Sequence, residues 1–332
     1  APNVHYGTLN RRDLDFLRDA GADAATLHHL PNAVDYGMAE AADAADAGDA
    51  AAGGRLFLYP TRAIRRKNVG EFLLWAAAAE AGDRYAVTLA PKNPSARPVY
   101  DRWVAFAAEE RLPVQFGAGL QPGVDFGALV RSAHAIVTTS VGEGFGLAFL
   151  EPWLAERPLA GRALPEVTDE FADAGVDLDG LYRRLEVPLA WVGGEAFTDR
   201  LAAGLERSLT AYGRPCEAAA VDRARAAATD GTWIDFGRLD EALQEPVIRR
   251  LRADADAAAA LRPAALAETG AATIRANRDA VRQTYSLDAY AGTLTAAYEA
   301  VAASATGPVD ALDGAALLDR FLDPARFALL RA

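Results

Sequence analysis

The feature that most restricts what this chain can fold into is a regular alternation between residues 55 and 160, where short β-rich runs take turns with stretches of helical periodicity. Strands are expected at 55–59, 85–89, 114–116, 135–139 and 159–160, and helices at 71–81, 99–112, 126–133 and after Gly146. Strand–helix alternation of this kind implies right-handed crossovers and a parallel sheet covered on both faces. The expected class is α/β, a doubly wound parallel sheet of Rossmann-like type followed by a mainly helical C-terminal region. Ligands of such sheets sit outside the carboxyl ends of the strands, so the turns that follow the strands are the places to look for chemistry.

The flanks are simpler. Upstream, a helix at 10–20 and a strand at 26–30 make one αβ unit. Residues 39–54 are low-complexity Ala/Asp ending in Gly53-Gly54 and read as a connector. Beyond residue 192 the pattern is helical at 196–212, 217–228, 241–261, 263–282 and 287–303, interrupted by a possible strand at 232–236 and closed by an apolar-faced segment at 315–330. The expected division is 1–38 as the end of an upstream domain, 39–54 as connector, 55–215 as the ligand-binding Rossmann-like domain, 216–304 as C-terminal helices and 305–332 as a tail helix.

Composition narrows the function classes. With 51% hydrophobic and 24% charged residues over 332 positions, the chain can bury a sizeable core. No run approaches the roughly 18 apolar residues that span a bilayer, so no transmembrane segment is expected. The net charge of −12 opposes attraction to nucleic acid, and no nucleic-acid partner is expected. A single Cys216 excludes an internal disulfide and fits a reducing, cytoplasmic location. His5, His28, His29 and His134 show no metal-ligand spacing, so no metal is expected. The start, Ala-Pro-Asn-Val-His5, lacks an initiator Met and a signal-peptide pattern and reads like the interior of a longer chain.

Two turns carry the chemistry. The first follows the strand at 55–59 and holds Arg62, Arg65, Arg66 and Lys67, four cations within six positions, just ahead of a helix. Charge and helix dipole together make an anion trap suited to a diphosphate. The second follows the strand at 135–139 and reads Ser140-Val141-Gly142-Glu143-Gly144-Phe145-Gly146-Leu147-Ala148-Phe149-Leu150-Glu151. Its glycines let backbone amides approach a ligand closely, and its two carboxylates, eight positions apart, suit a grip on vicinal hydroxyls. Each turn alone also reads as an ordinary charged surface loop.

Together and in this order, the two turns resemble the C-terminal, donor-binding domain of glycosyltransferase family 4, whose members have the two-domain GT-B fold. By that resemblance Arg62 and Lys67 hold the diphosphate of a nucleoside diphosphate-sugar, Glu151 binds the ribose hydroxyls, and Glu143 lies near the transferred sugar. Backbone amides of Gly144, Phe145, Gly146 and Leu147 help hold sugar and phosphate. The likeness extends to Leu30-Pro31-Asn32, to 129–140, to Pro158-Leu159-Ala160 with Leu164-Pro165-Glu166-Val167, and to the closing segment around 281–298. It implies sugar transfer to an acceptor hydroxyl with retention of configuration, using the nucleotide sugar as donor substrate and no separate cofactor. It also implies an upstream domain carrying the acceptor site, with the acceptor itself unspecified.

The sequence departs from that pattern in places. Pro60-Thr61 replaces the usual glycine before the phosphate-binding Arg, Pro152 directly follows Glu151, and Arg162 and the stretch 169–188 match no general family feature. Two other readings remain open: a nucleotide-sugar-binding module without catalysis, and a dehydrogenase-type Rossmann domain, which the absence of G-x-G-x-x-G after the first strand disfavours.

Overall fold

A computed structural model describes residues 4–34, 54–307 and 311–331. Its N-terminal unit is β1 (Tyr6–Thr8), α1 (Arg11–Asp19) and β2 (Leu27–His29), with the two strands paired in parallel. Asn10 starts the helix by accepting the Asp13 amide on its side chain. The expected helix and strand are both present, and β1 is an addition that three residues of mixed character did not signal. Apart from Gly54, the Ala/Asp-rich stretch 39–54 lies outside the described residues.

The centre is a five-stranded parallel sheet in the order β5-β4-β3-β6-β7, made of Leu56–Arg62 (β3), Arg84–Leu89 (β4), Val114–Phe116 (β5), Ala135–Thr138 (β6) and Leu159–Gly161 (β7). All five expected strands form. Successive side chains in a strand point to opposite faces, and the residues obey it: Phe57, Tyr59, Val87 and Val137 join one buried cluster, while Leu56, Leu58, Ala86 and Ile136 join another. Two crossover helices, α2 (Val69–Ala77) and α3 (Arg97–Glu109), bury residues in the first cluster. The next two, α4 (Phe126–Arg131) and α5 (Glu151–Leu154), bury residues in the second. The chain therefore reverses direction across the sheet between β3 and β6, the point at which doubly wound sheets open a ligand crevice.

One strand runs longer than expected. β3 continues through Pro60 and Thr61 to Arg62, with a register shift against β4 between Tyr59 and Arg62. Proline offers no N–H to the ladder, so the irregularity falls where a donor is missing. Pro152 sits in the first turn of α5, a position a helix tolerates.

Following β7, α6 (Pro165–Asp173) leads into β8 (Glu186–Pro188), which pairs antiparallel with β9 (Trp233–Asp235), the strand expected at 232–236. Between them lie α7 (Leu189–Val192), α8 (Gly194–Ala211) and α9 (Ala218–Ala228), and after them α10 (Glu241–Ala253), α11 (Ala271–Thr284), α12 (Leu287–Ala303) and α13 (Gly314–Phe321). Two expectations are corrected here. The helix expected at 241–261 ends at Ala253, where the Asp254 side chain caps a separate 3-10 segment, and the tail 315–330 is a short helix followed by two 3-10 turns.

The stretch 169–188 is tied in by buried charge. Arg162, at the end of β7, donates to Glu71 on α2 at 2.6 and 2.9 Å and to Asp235 on β9 at 2.7 and 3.1 Å. Its side chain is 4% exposed, and those of the two carboxylates are 0% and 5% exposed. Tyr182 donates to Glu71 and accepts from Trp75, while Asn68 donates to Glu71 and accepts from Gln244 on α10. Burial pushes Glu71 above the usual carboxylate range despite Arg162, whereas for Asp235 the pull of Arg162 outweighs burial and holds it below. Removing one partner strands the others in a low-dielectric site. Replacing Arg162 by Met is expected to cost about 3–5 kcal/mol in urea unfolding followed by Trp fluorescence, and a loss under about 1 kcal/mol would show that the network is not what anchors the β8–β9 pair.

Candidate active site

The two expected turns leave the adjacent strands β3 and β6 on the same side, because those strands are paired in parallel through Phe57 with Ala135 and Leu58 with Ile136. They are then fastened together by the cationic turn's own carbonyls. Arg66 O accepts from the Val141 amide at 2.9 Å and the Ser140 hydroxyl at 3.2 Å. Lys67 O accepts from Thr139 Oγ1 at 3.1 Å and the Tyr59 phenol at 3.0 Å, and Asn68 O accepts from Thr139 at 3.0 Å. Asn68 adopts the left-handed conformation (φ 49°) that ends this 3-10 turn and starts α2. Asparagine is among the few non-glycine residues that adopt it readily.

This fastening aims side chains at one carboxylate. Lys67 forms an ion pair with Glu143 Oε1, and Arg66 Nη1 donates to Glu143 Oε2 at 2.7 Å and to the Gly142 carbonyl at 2.6 Å. The Glu143 side chain is only 8% exposed, against 43% for Arg66. Burial pushes its pKa up, but Lys67 and then Arg66 and Ser140 outweigh that and leave it below the usual carboxylate range. Glu143 is thus a carboxylate at neutral pH.

The other expected residues divide in two. Arg62 ends β3 exposed, and among the described residues no side chain pairs with it. It stands outside the Glu143 cluster. Glu151 opens α5, half-buried. Gly144 is exposed, with nothing within 4 Å of the position a Cβ would take. Phe145 is buried, its ring edge-on to Phe171 and Tyr285, so its backbone is what it can offer a ligand. Gly146 has φ +100°, and a Cβ there would meet Val167 and Phe149 at 2.8 and 2.9 Å, so only glycine fits. Among the described residues no protein acceptor takes the backbone amides of Gly144, Phe145, Gly146 or Leu147. A turn with open amides beside two cations can receive an oxyanion.

Three contacts were not foreseen. Arg66 rather than Arg62 joins Lys67 on Glu143, a choice that four clustered cations cannot signal before the 3-10 turn fixes their directions. Asn10 reaches from the N-terminal unit to donate to the Gly144 carbonyl at 2.7 Å. The chain's last 3-10 turn lies against the cationic turn, with Arg65 donating to the Leu329 carbonyl at 3.3 Å and pairing with Glu241 at 2.9 Å.

A parallel sheet in this order, with two charged turns meeting at its switch point and a helical C-terminal region, has the architecture of a GT-B-like glycosyltransferase fold. Among solved structures, the chain superposes on a glycosyltransferase from Rickettsia africae with a TM-score of 0.52 at 11% identity, covering 91% of this chain and 64% of that one. It is also similar to sucrose-phosphate synthase from Thermosynechococcus elongatus, with a TM-score of 0.49 at 15% identity, covering 90% and 58% of the two chains. In sequence it is similar to mannosylglucosyl-3-phosphoglycerate synthase from Petrotoga mobilis, 27% identical over 180 residues. That match spans half of this chain and only 35% of the relative's length. No family model matches the chain.

Because the folded pKa of Glu143 lies below its unfolded value, the ion pair contributes stability above an unfolded pKa of about 4.3, and that contribution fades as pH falls through the folded value. Lys67→Met is therefore expected to cost roughly 1–3 kcal/mol at pH 7, with the difference from the parent narrowing below about pH 4. Denaturant unfolding at the two pH values checks this, and a pH-independent difference would mean the pair does not set the Glu143 pKa.

Proposed function

We propose that the chain transfers a sugar from a nucleoside diphosphate donor to an acceptor hydroxyl with retention of configuration, as the donor-binding part of a family 4 type glycosyltransferase. The observation that carries this reading is the convergence of Lys67 and Arg66 with Glu143 at the β3–β6 switch point, beside a turn with open amides. The sequence relative's name supports it in kind, since it is a synthase of a glycosylated compound.

In this reading the diphosphate lies across the cationic turn. Arg62, Arg66 and Lys67 bring three positive charges and Glu143 one negative, so two positive charges remain to meet the departing diphosphate. Stabilising that leaving group is the main electrostatic task of the reaction, and preorganised cations in a crevice with little water supply it without reorganisation. The amides of 144–147 add fixed donors that need no charge. Glu143, ionised beside them, lies next to the transferred sugar, and Glu151 at the start of α5 accepts from the ribose hydroxyls. No separate cofactor enters, and the cations of the turn take the place a divalent metal would fill.

Arg62 has a defined part here. Exposed and unpaired among the described residues, it is free to turn onto a phosphate at no cost in broken ion pairs. Calorimetric titration with UDP, GDP and ADP tests the reading. One of the three is expected to bind, and Arg62→Ala and Lys67→Ala are each expected to weaken it by about 1.5–3 kcal/mol, roughly 10- to 100-fold. No binding by any diphosphate, or affinity unchanged in both variants, would remove the donor site.

A further inference from the structure

Beside the Glu143 turn, at Val141, the structure holds a recess of about 290 Å³ between the end of β7, the β8–β9 ribbon and the C-terminal tail. Six arginines line it against two carboxylates, Glu166 and Asp235. Most of that charge has a protein partner. Arg162 is committed to the buried triad with Asp235, and Arg183 and Arg184 pair with Asp169 and Glu186, which do not line the recess. Glu166 is shared between Arg12 at 2.9 Å and Arg326 at 3.2 Å.

Two guanidiniums are left short of anionic partners. Arg238 donates to the Ala325 and Phe327 carbonyls at 3.0 and 2.6 Å, and its nearest carboxylate, Asp235, is 4.0 Å away and already held by Arg162. The Arg331 guanidinium has no hydrogen bond or ion pair among the described residues, and it lies over Gly142, within 3.1–3.4 Å of where a Cβ would be. Burial first, and then the neighbouring arginines, hold both guanidiniums below their ordinary pKa. Desolvated cations crowded together without counter-charge are costly, and an entering anion relieves both the desolvation and the repulsion.

We propose that this recess is a second anion site, which takes the phosphate of a small phosphate monoester on Arg238, Arg326 and Arg331. Planar guanidinium forks match phosphate oxygens in pairs, which suits arginine more than lysine to this task. The volume is at the small end for ligand pockets, which run from about 300 Å³, so the site fits a compact phosphorylated molecule. Gly142 separates the recess from Glu143 by one residue. A molecule anchored there by its phosphate extends toward the proposed transfer site, which makes a phosphorylated acceptor the expected substrate class. That last step rests on the donor reading above, whereas anion binding in the recess does not.

The test is calorimetric titration of inorganic phosphate at constant ionic strength, with UDP titrated in parallel, on the parent chain and on Arg331→Gln, Arg326→Gln and Lys67→Gln. Saturable phosphate binding is expected, weakened at least about tenfold in Arg331→Gln and Arg326→Gln and little changed in Lys67→Gln, while UDP shows the opposite pattern. Arg331 is the exposed residue of the final 3-10 turn, whose packing is carried by the buried Leu329 and Leu330, so its replacement is expected to leave the fold intact, and circular dichroism checks that. Absent phosphate binding, or phosphate binding lost in Lys67→Gln but kept in Arg331→Gln, overturns the second site. UDP binding without phosphate binding removes this site and leaves the donor reading standing, and phosphate binding without any diphosphate binding does the reverse.

Discussion

The buried triad of Glu71, Arg162 and Asp235 is the constraint on which the rest of the arrangement depends. Each member comes from a different part of the chain: the helix behind the cationic turn, the end of the last sheet strand, and β9, the strand that follows α9. A guanidinium with two carboxylates out of water is not a strong source of net stability, since desolvation offsets much of the attraction. Its effect is on geometry. With all three groups paired out of water, the triad ties α2 to β7 and β9, and so ties down the start of α2 that follows Lys67 and Arg66. Asn68 carries the link, because its side chain bonds both Glu71 and Gln244 while its backbone carbonyl is held by Thr139.

The same logic explains why the cationic turn can be charged and yet ordered. Each carbonyl of residues 66–68 has a donor from β6, its following turn or Tyr59, so the turn's polar backbone is satisfied without recruiting the cationic side chains. Lys67 and Arg66 are then available to Glu143. The ion pairs hold the two turns together in a defined arrangement, and in the proposed reading an arriving polyanion competes with Glu143 for the same cations. The Glu143 carboxylate is in this sense a placeholder for negative charge.

What the sequence made legible follows from how each signal is encoded. Apolar runs separated by amphipathic stretches report the sheet directly, since burial on two faces leaves its mark at every strand residue, and all five central strands formed where expected. The switch point follows from topology alone, and so did the meeting of the two turns. Side-chain direction is encoded far less locally. That Arg66 meets Glu143 while Arg62 ends an exposed strand depends on a 3-10 turn and a register shift at Pro60-Thr61, which no periodicity marks. Arg162 was visible only as a residue without a family counterpart, because its partners lie 91 and 73 positions away. The tail is tied both to α1 and to the cationic turn: Arg320 pairs with Asp19, Phe321 packs edge-on against Phe16, and Arg65 donates to the Leu329 carbonyl.

An acidic protein that concentrates cations in two neighbouring recesses has solved an electrostatic problem in a specific way. With a net charge of −12 the outer field repels anions at long range, yet screening confines that field to roughly 8–10 Å at physiological salt. Within that distance the local arginines and Lys67 decide. On such a surface, selection among anions rests on placement of charge rather than its total. Carboxylates such as Glu143 and Glu166, each shared between two cations, keep the unliganded recesses from unfavourable self-repulsion. Arg62 at the end of β3 and Arg331 over Gly142 have no carboxylate partner among the described residues.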